Sequence, residues 1–553
     1  MGRRLAAALT AAVLGASLLA ASSRATVAPA RVPPLVVSIP GHFGGCDPGA
    51  SSTTPATDAV LALVLPSAFT PGPLDAAVGD TFVISQAEIV GQSPQTVDYT
   101  IAPGAAWPDG TLLRPADLVR TWHERRDDLV VGDLGYRDVA SVRPTASGTG
   151  VVVTFTKPYA DWESLFNLIV PASTSRAACT LPSAAADPSI GPYELVGASR
   201  GELVLRANPS WPGITPAYAH VDVTTDPASP PLPGRAARTT YLPAPTLAQL
   251  QAITSTGGYA SKMLHDTTVV SLDFALHGPA ALARPLRVAL ALLVDRTAIV
   301  ARLEAPVDAT TAPAASHLYG QGQTLYPGPT GGPVSNPNPP TPPVAGATGE
   351  AAYGDVADPA LAAVSLRASG YHKAGGAWID AAGGALAVCL AVPNDSATLQ
   401  ATARDLAAQL ARQGVAVRLQ DVASSAAAVD ALRAGTCALG IVRRTGDTYL
   451  SHSAASWLAP SRPAPTDLLW TGVNDPVVTS DAAAASGTLD PVVAATTWDA
   501  MDARLWDLMV SLPLYSPSVF VGWSPKIAGV LVCDTLAGFV GQLPSLLPAA
   551  TKG

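Results

Sequence analysis

The chain has 553 residues, more than one hydrophobic core usually serves, so several domains or lobes are expected. With 48% hydrophobic and 14% charged residues it is not a disordered tail protein. Asp and Glu number 42 against 33 Lys and Arg, and a net charge of −9 argues against the basic face that a nucleic-acid partner requires.

Taken in order, residues 1–30 read as an export signal. Arg3 and Arg4 form a basic start, Leu5 to Ala21 is apolar and uncharged, and Ala28-Pro29-Ala30 offers a cleavage site near Ala30. No later run is long enough to span a bilayer, so the mature protein is expected outside the cytoplasmic membrane, periplasmic or associated with the cell envelope. The first cysteine, Cys46, lies too far downstream to serve as a lipid-attachment cysteine. Strands are predicted at Leu35–Ile39, Thr96–Ile101, Gly150–Phe155, Tyr193–Val196 and Glu202–Arg206, and helices at Pro115–Arg125 and Asp161–Leu168. Asp58–Leu65 is an apolar segment, and Asp226–Pro245 is Pro-rich and open to either reading. From about Val269 the pattern changes. Thr268–Ala275 alternates as a strand, Leu286–Leu303 is a long helix, and Tyr326–Gly349 is a surface loop dense in Pro and Gly. A βαβ-like unit follows: strand Ala385–Val392, helix Ala397–Arg412 with Leu399, Ala403, Leu406 and Leu410 on one stripe, Gly414 as its stop, and strand Val415–Leu419. Val429–Arg433 and Ala438–Val442 continue the alternation. Trp498–Met509 reads as a helix and Leu512–Val521 as a strand. The sum is a mixed α/β chain whose elements suit two lobes.

Catalytic constellations find little support. Gly197-Ala198-Ser199-Arg200-Gly201 matches a nucleophile-elbow pattern, but it sits between two strand patterns where the elbow needs a following helix, so a β-turn is predicted. The eight histidines show no metal-ligand spacing, and neither a phosphate-binding loop nor a dinucleotide fingerprint is present. No enzyme, metal or cofactor is therefore expected. The five cysteines, Cys46, Cys179, Cys389, Cys437 and Cys533, contain no C-x-x-C pair, and their odd number leaves at least one thiol unpaired. Cys389, within Leu386–Val392, and Cys437, beside Ala438-Leu439, read as small buried hydrophobes.

Seven segments, in order, resemble the family-5 extracellular solute-binding proteins, the receptors of peptide- and nickel-type ABC importers. They are Trp107-Pro108-Asp109-Gly110-Thr111 with Pro115-Ala116-Asp117-Leu118; Val151–Phe155 with Lys157-Pro158-Tyr159-Ala160-Asp161-Trp162; Gly191-Pro192-Tyr193; Arg206–Trp211; Arg287–Arg296; Ala368–Tyr371; and Leu512-Pro513-Leu514-Tyr515. Leu63–Phe69 and Ala503–Trp506 resemble the branch known as monoacyl phosphatidylinositol tetramannoside-binding lipoproteins. The resemblance implies a two-lobed periplasmic-binding-protein-like fold with mixed sheets and a ligand cleft at a hinge. Lobe one would take residues 31–270 with a return at 510–553, and lobe two residues 271–509. Crossings near Val269–Ala275 and Ser511–Tyr515 would form the hinge.

The function so implied is an extracytoplasmic receptor for a peptide or related polar solute, monomeric and partnered by an ABC permease. The alternative is a regulatory protein of envelope lipid-glycan synthesis on the same fold. For the site, the resemblance places Asp447, in Gly440–Asp447, where peptide-binding members hold the ligand's amine. Ile441 replaces that motif's Trp, and its Pro is missing. Arg443 and Arg444 suit a phosphate or carboxylate, or simply solvated positions. Trp457 lines the cleft or packs as an ordinary core aromatic.

Overall fold

The structure, a computed structural model, describes residues 32–44, 54–71, 77–127, 130–172, 189–199, 201–225, 237–255, 257–323, 326, 354–460, 465 and 468–549. The signal segment 1–30, Cys46, Cys179 and nearly all of the loop 326–349 lie outside them.

Three sheets organise the chain. A seven-stranded mixed sheet runs in the order Ala260–His265, Ser518–Trp523, Ala237–Pro243, Leu35–Ser38, His220–Thr224, Glu202–Ala207, Tyr193–Ala198. Leu35–Ser38 lies at its centre, parallel to both neighbours, with Leu35 and Val37 inaccessible to solvent. An antiparallel four-stranded sheet, Ile84–Gln92, Gln95–Ile101, Gly150–Phe155 and Val139–Pro144, alternates buried and half-exposed residues because only one of its faces meets a core. The five-stranded sheet is Ala416–Val422, Ala387–Pro393, Leu439–Thr445, Thr268–Phe274 and Ser511–Tyr515. Thr268–Phe274 is buried along its whole length, as a strand flanked by partners and covered on both faces should be. Each sheet carries its own hydrophobic cluster.

The predicted βαβ unit is present. Ser396 caps the helix Ala397–Arg412 through the Leu399 amide, and the predicted stripe is buried. Gly414 follows at φ +88°, and a Cβ there would lie 2.1 Å from the Gly376 carbonyl oxygen, so only glycine fits. The turn at Ser199 is also as expected: the Ser199 amide donates to the Glu202 carbonyl at 2.8 Å between two antiparallel strands.

Four local expectations are corrected. Asp161–Leu168 is not a helix but a short 3₁₀ turn at Trp162–Ser164. The amides of Phe166, Leu168 and Ile169 instead reach Tyr136 Oη, Ser67 Oγ and the Pro66 carbonyl, which buries Leu165, Phe166 and Ile169 fully. Leu286–Leu303 is two helices, Arg284–Leu292 and Arg296–Leu303, because Asp295 caps the second through the Ala298 amide at 2.7 Å. Leu512–Val521 is two strands in different sheets, interrupted at Pro517, which has no N–H to donate. Cys389 and Cys437 are not independent small hydrophobes. They form a disulfide from the strand Ala387–Pro393 to the residues just before the parallel strand Leu439–Thr445, with their Cα atoms 4.6 Å apart. Cys533 is a buried free thiol.

The chain passes twice between the seven-stranded and five-stranded sheets, at Asp266-Thr267 and Ser516-Pro517. The two passages lie side by side, with the Asp266 amide donating to the Pro517 carbonyl at 2.9 Å. The segments Val269–Ala275 and Ser511–Tyr515 are therefore strand interiors adjoining the passages rather than the passages themselves.

Candidate ligand-binding seam

The strand Leu439–Thr445 carries two of the four candidate residues, Arg443 and Arg444, and its period of two separates them; Asp447 follows the strand, and Trp457 lies just past the helix Leu450–Ala455. Adjacent side chains on a strand point to opposite faces, so Arg443 is exposed while Arg444 is buried. Arg444 Nη2 donates to Asp273 Oδ2 at 2.6 Å and to the Leu469 carbonyl at 3.0 Å, and Nη1 donates to Ser271 Oγ at 3.2 Å. Its guanidinium lies 4.3 Å from the Trp457 ring centre, and Trp457 is itself 2% exposed. Arg444 and Trp457 thus form an internal stack anchored on a fully buried carboxylate. Arg443 is the member of the pair that faces solvent.

After the strand, Gly446 bonds to both sides of Thr267 at the first chain passage: its amide donates to the Thr267 carbonyl and its carbonyl accepts from Thr267 Oγ1. This fixes the following Asp447. Its Oδ1 accepts from the Tyr449 amide at 2.9 Å, and its Oδ2 lies 3.1 Å from His452 Nδ1. The Asp447 side chain is 40% exposed, whereas that of His452 is 5% exposed. Burial raises the Asp447 carboxyl, but the His452 charge and its hydrogen bond, with the Tyr449 amide, outweigh burial and hold it below its ordinary value. Burial alone would lower His452; Asp447, with smaller help from Asp161 and Asp133, raises it instead.

Facing this segment is Lys157–Ser164, which packs against the four-stranded sheet. Gln95 clamps its backbone, with Nε2 donating to the Tyr159 carbonyl at 3.0 Å and Oε1 accepting from the Tyr159 amide at 2.6 Å. Gly135 makes room for the Tyr159 ring, since a Cβ there would lie 2.5 Å from it. From this side Tyr159 Oη lies 3.2 Å from Ser451 Oγ and 3.4 Å from His452 Nε2. Asp161 Oδ2 accepts from the Ser451 amide at 2.9 Å, Tyr449 Oη donates to the Glu163 carbonyl at 2.8 Å, and the Ala160 amide donates to the Ser486 carbonyl at 2.7 Å. Burial raises the Glu163 carboxyl, and Asp161 adds to the effect. Among the described residues no group of three His, Cys, Asp or Glu is placed to hold a metal ion, and no helix is long and apolar enough to cross a membrane.

Asp447 and Arg443 were legible as candidates through the resemblance of Gly440–Asp447 to the family's ligand-binding stretch. His452, Tyr159 and Asp161 were not read as site residues, although Tyr159 and Asp161 stood in plain view in Pro158-Tyr159-Ala160-Asp161-Trp162. Only the third dimension puts that motif opposite Asp447.

The family model of bacterial extracellular solute-binding proteins, family 5 middle, matches residues 90–464. The chain belongs to this family. The oligopeptide-binding protein OppA of Mycobacterium tuberculosis (strain ATCC 25618 / H37Rv) is 32% identical over 170 residues, 29% of this chain and 29% of OppA. The probable monoacyl phosphatidylinositol tetramannoside-binding protein LpqW of the same strain is 34% identical over 152 residues, 26% of this chain and 24% of LpqW. The matches thus span less than a third of these curated relatives. Among solved structures, the periplasmic EDTA-binding protein EppA superposes with a TM-score of 0.79 at 18% identity, over 94% of this chain and 97% of EppA. NikZ from Campylobacter jejuni, in complex with Ni(L-His), gives 0.74 at 14% identity, over 93% and 99%. AppA from Bacillus subtilis, in complex with a nonapeptide, gives 0.69 at 14% identity, over 94% and 100%. The fold is therefore the two-lobed, mixed-sheet α/β fold of family-5 binding proteins, whose relatives are binding proteins rather than enzymes.

Proposed function

We propose that this protein is an extracytoplasmic receptor that captures a peptide or related polar solute and presents it to an ABC permease. The observation that carries the reading is the seam itself: a half-exposed carboxylate, Asp447, stands beside two adjacent chain passages and opposite a second rigid segment. Two lobes joined only by such passages can rotate about them to enclose a solute. With the passages at Asp266-Thr267 and Ser516-Pro517, lobe one comprises the residues up to 266 and from 517 onward, and lobe two the residues between, a few residues from the expected bounds of 31–270, 271–509 and 510–553. Asp447 and exposed Arg443 are the proposed ligand contacts. Arg444 and Trp457 support them from inside the lobe, since both are already committed to packing and pairing. The likeness to OppA supports a peptide-like solute, and the Cys389–Cys437 disulfide suits an oxidising, exported location.

The test is native mass spectrometry of the mature protein purified from its own cell envelope, followed by thermal-shift screening of peptide pools and mannolipid head groups. The expected result is a co-purifying solute that raises Tm on re-addition and loses that effect in Asp447→Ala. An empty protein indifferent to every solute would refute the receptor reading. It would favour a regulatory role in envelope lipid-glycan synthesis, to which the likeness to LpqW and the internally paired state of Asp447 both lend support.

A further inference from the structure

We infer that Asp447–His452 and Tyr159–Glu163 form a proton-dependent clasp that holds the two sides of the seam together. The geometry comes first. Four hydrogen-bond contacts cross between these segments: Tyr159 Oη with Ser451 Oγ, Tyr159 Oη with His452 Nε2, the Ser451 amide with Asp161 Oδ2, and Tyr449 Oη with the Glu163 carbonyl. Ser451 lies in the first turn of the short helix Leu450–Ala455, so Asp161 satisfies from across the seam an amide that the helix leaves without an internal acceptor.

His452 is the group on which the charge balance turns. Its own segment presents Asp447 at 3.1 Å and the Tyr449 ring with centres 5.6 Å apart. The facing segment presents Tyr159 and Asp161, with Glu163 one turn further on. Behind them stands Asp133, already paired with Arg125 at 3.0 Å. An imidazolium at this position donates from both ring nitrogens, to Asp447 and to Tyr159 Oη, and offsets the negative charge of Asp447 and Asp161. A neutral imidazole still accepts a hydrogen bond from Tyr159 Oη, but it leaves the charges of Asp447 and Asp161 without the cation that both act on. The proton lost on neutralisation passes to solvent.

The direction of the titration agrees. The raised His452 value means that its contribution is complete below the ordinary value of 6.5 and is lost as pH rises through the folded value. The lowered Asp447 value means that its contribution is complete above 3.8 and is lost as pH falls through the folded value. The clasp is therefore tightest in mildly acidic solution and loosens as the medium becomes alkaline. This conclusion holds for either functional reading, because it concerns the seam and not its ligand.

Hydrogen-exchange mass spectrometry on the full chain tests it, following peptides that cover 446–456 and 157–164 and correcting for intrinsic exchange. In the wild type, protection of both segments is expected to fall at least fivefold between pH 5.5 and 9, while protection of the buried strand Thr268–Phe274 stays constant. In His452→Gln the protection of both segments should no longer change with pH. Tyr159→Phe, which keeps the ring and removes only the hydroxyl, should lower protection of 446–456 at pH 5.5. Equal wild-type protection at the two pH values would overturn the clasp, as would the same pH-dependent fall in His452→Gln.

Discussion

Replacing Arg444 with Met would leave the Asp273 carboxyl without its cation at a position with no solvent access, keeping the hydroxyls of Ser271 and Ser511, each at 2.7 Å. Removing one partner of a buried ion pair costs about 3–5 kcal/mol, because the remaining charge stays desolvated. The two hydroxyl hydrogen bonds are already made in the wild type and do not replace the guanidinium. Arg444→Met also removes the cation stacked over Trp457 and frees the Leu469 carbonyl, so the upper half of that range is expected. Asp273→Leu should cost a similar amount by stranding the guanidinium. The double variant should cost little more than either single one, since no charge is left stranded, giving a coupling energy of about 4 kcal/mol. Urea unfolding of the four proteins, followed by tryptophan fluorescence and far-ultraviolet dichroism together, measures the cycle. Strict additivity, or a loss below about 1 kcal/mol in Arg444→Met, would refute the claim that this arginine is structural and would return it to the list of ligand contacts.

Reducing the Cys389–Cys437 bridge, which spans 48 residues of sequence, should lower stability by about 4 kcal/mol on the chain-entropy model, seen as a Tm drop in a reducing agent that Cys389→Ser reproduces. No difference between oxidised and reduced protein would argue that the bridge does not form. Gly414→Ala should cost more than about 1 kcal/mol, because the site needs a positive φ and its Cβ would meet the Gly376 carbonyl; an unchanged urea midpoint would contradict that geometry. Glu304 is 3% exposed, and its carboxyl is pushed up to about 7, chiefly by burial. Its contribution is thus complete below 4.5 and is lost as pH rises through about 7, so Glu304→Gln should be the more stable protein at pH 8. A Tm difference between the two that does not vary from pH 5 to 8 would disprove it.

How much of this was legible in sequence depends on how local the decisive interaction is. The helix Ala397–Arg412 was readable end to end because its cap, stripe and terminating glycine are all encoded within a few residues of one another. The segment Asp161–Leu168 was misread because its helical pattern competes with Tyr136, Ser67 and Pro66, whose claims on its amides come from distant parts of the chain. The same distinction runs through the site. The neighbouring arginines looked like one cationic patch until the strand's pleat sent them to opposite faces. Cys389 and Cys437 each sit in or beside an apolar run, and nothing local reveals that the strand holding Cys389 lies beside the strand that starts two residues after Cys437.

The sequence by itself determined the fold class, the family and the general position of Asp447, because short motifs, hydrophobic periods and caps act over a few residues. Only the tertiary structure decided which charges are already spent and which groups meet. Arg444 is committed to an aspartate 171 residues away, and His452 meets a tyrosine 293 residues away. Pairings at that range depend on how whole sheets and segments pack, and sequence spacing carries no record of that geometry.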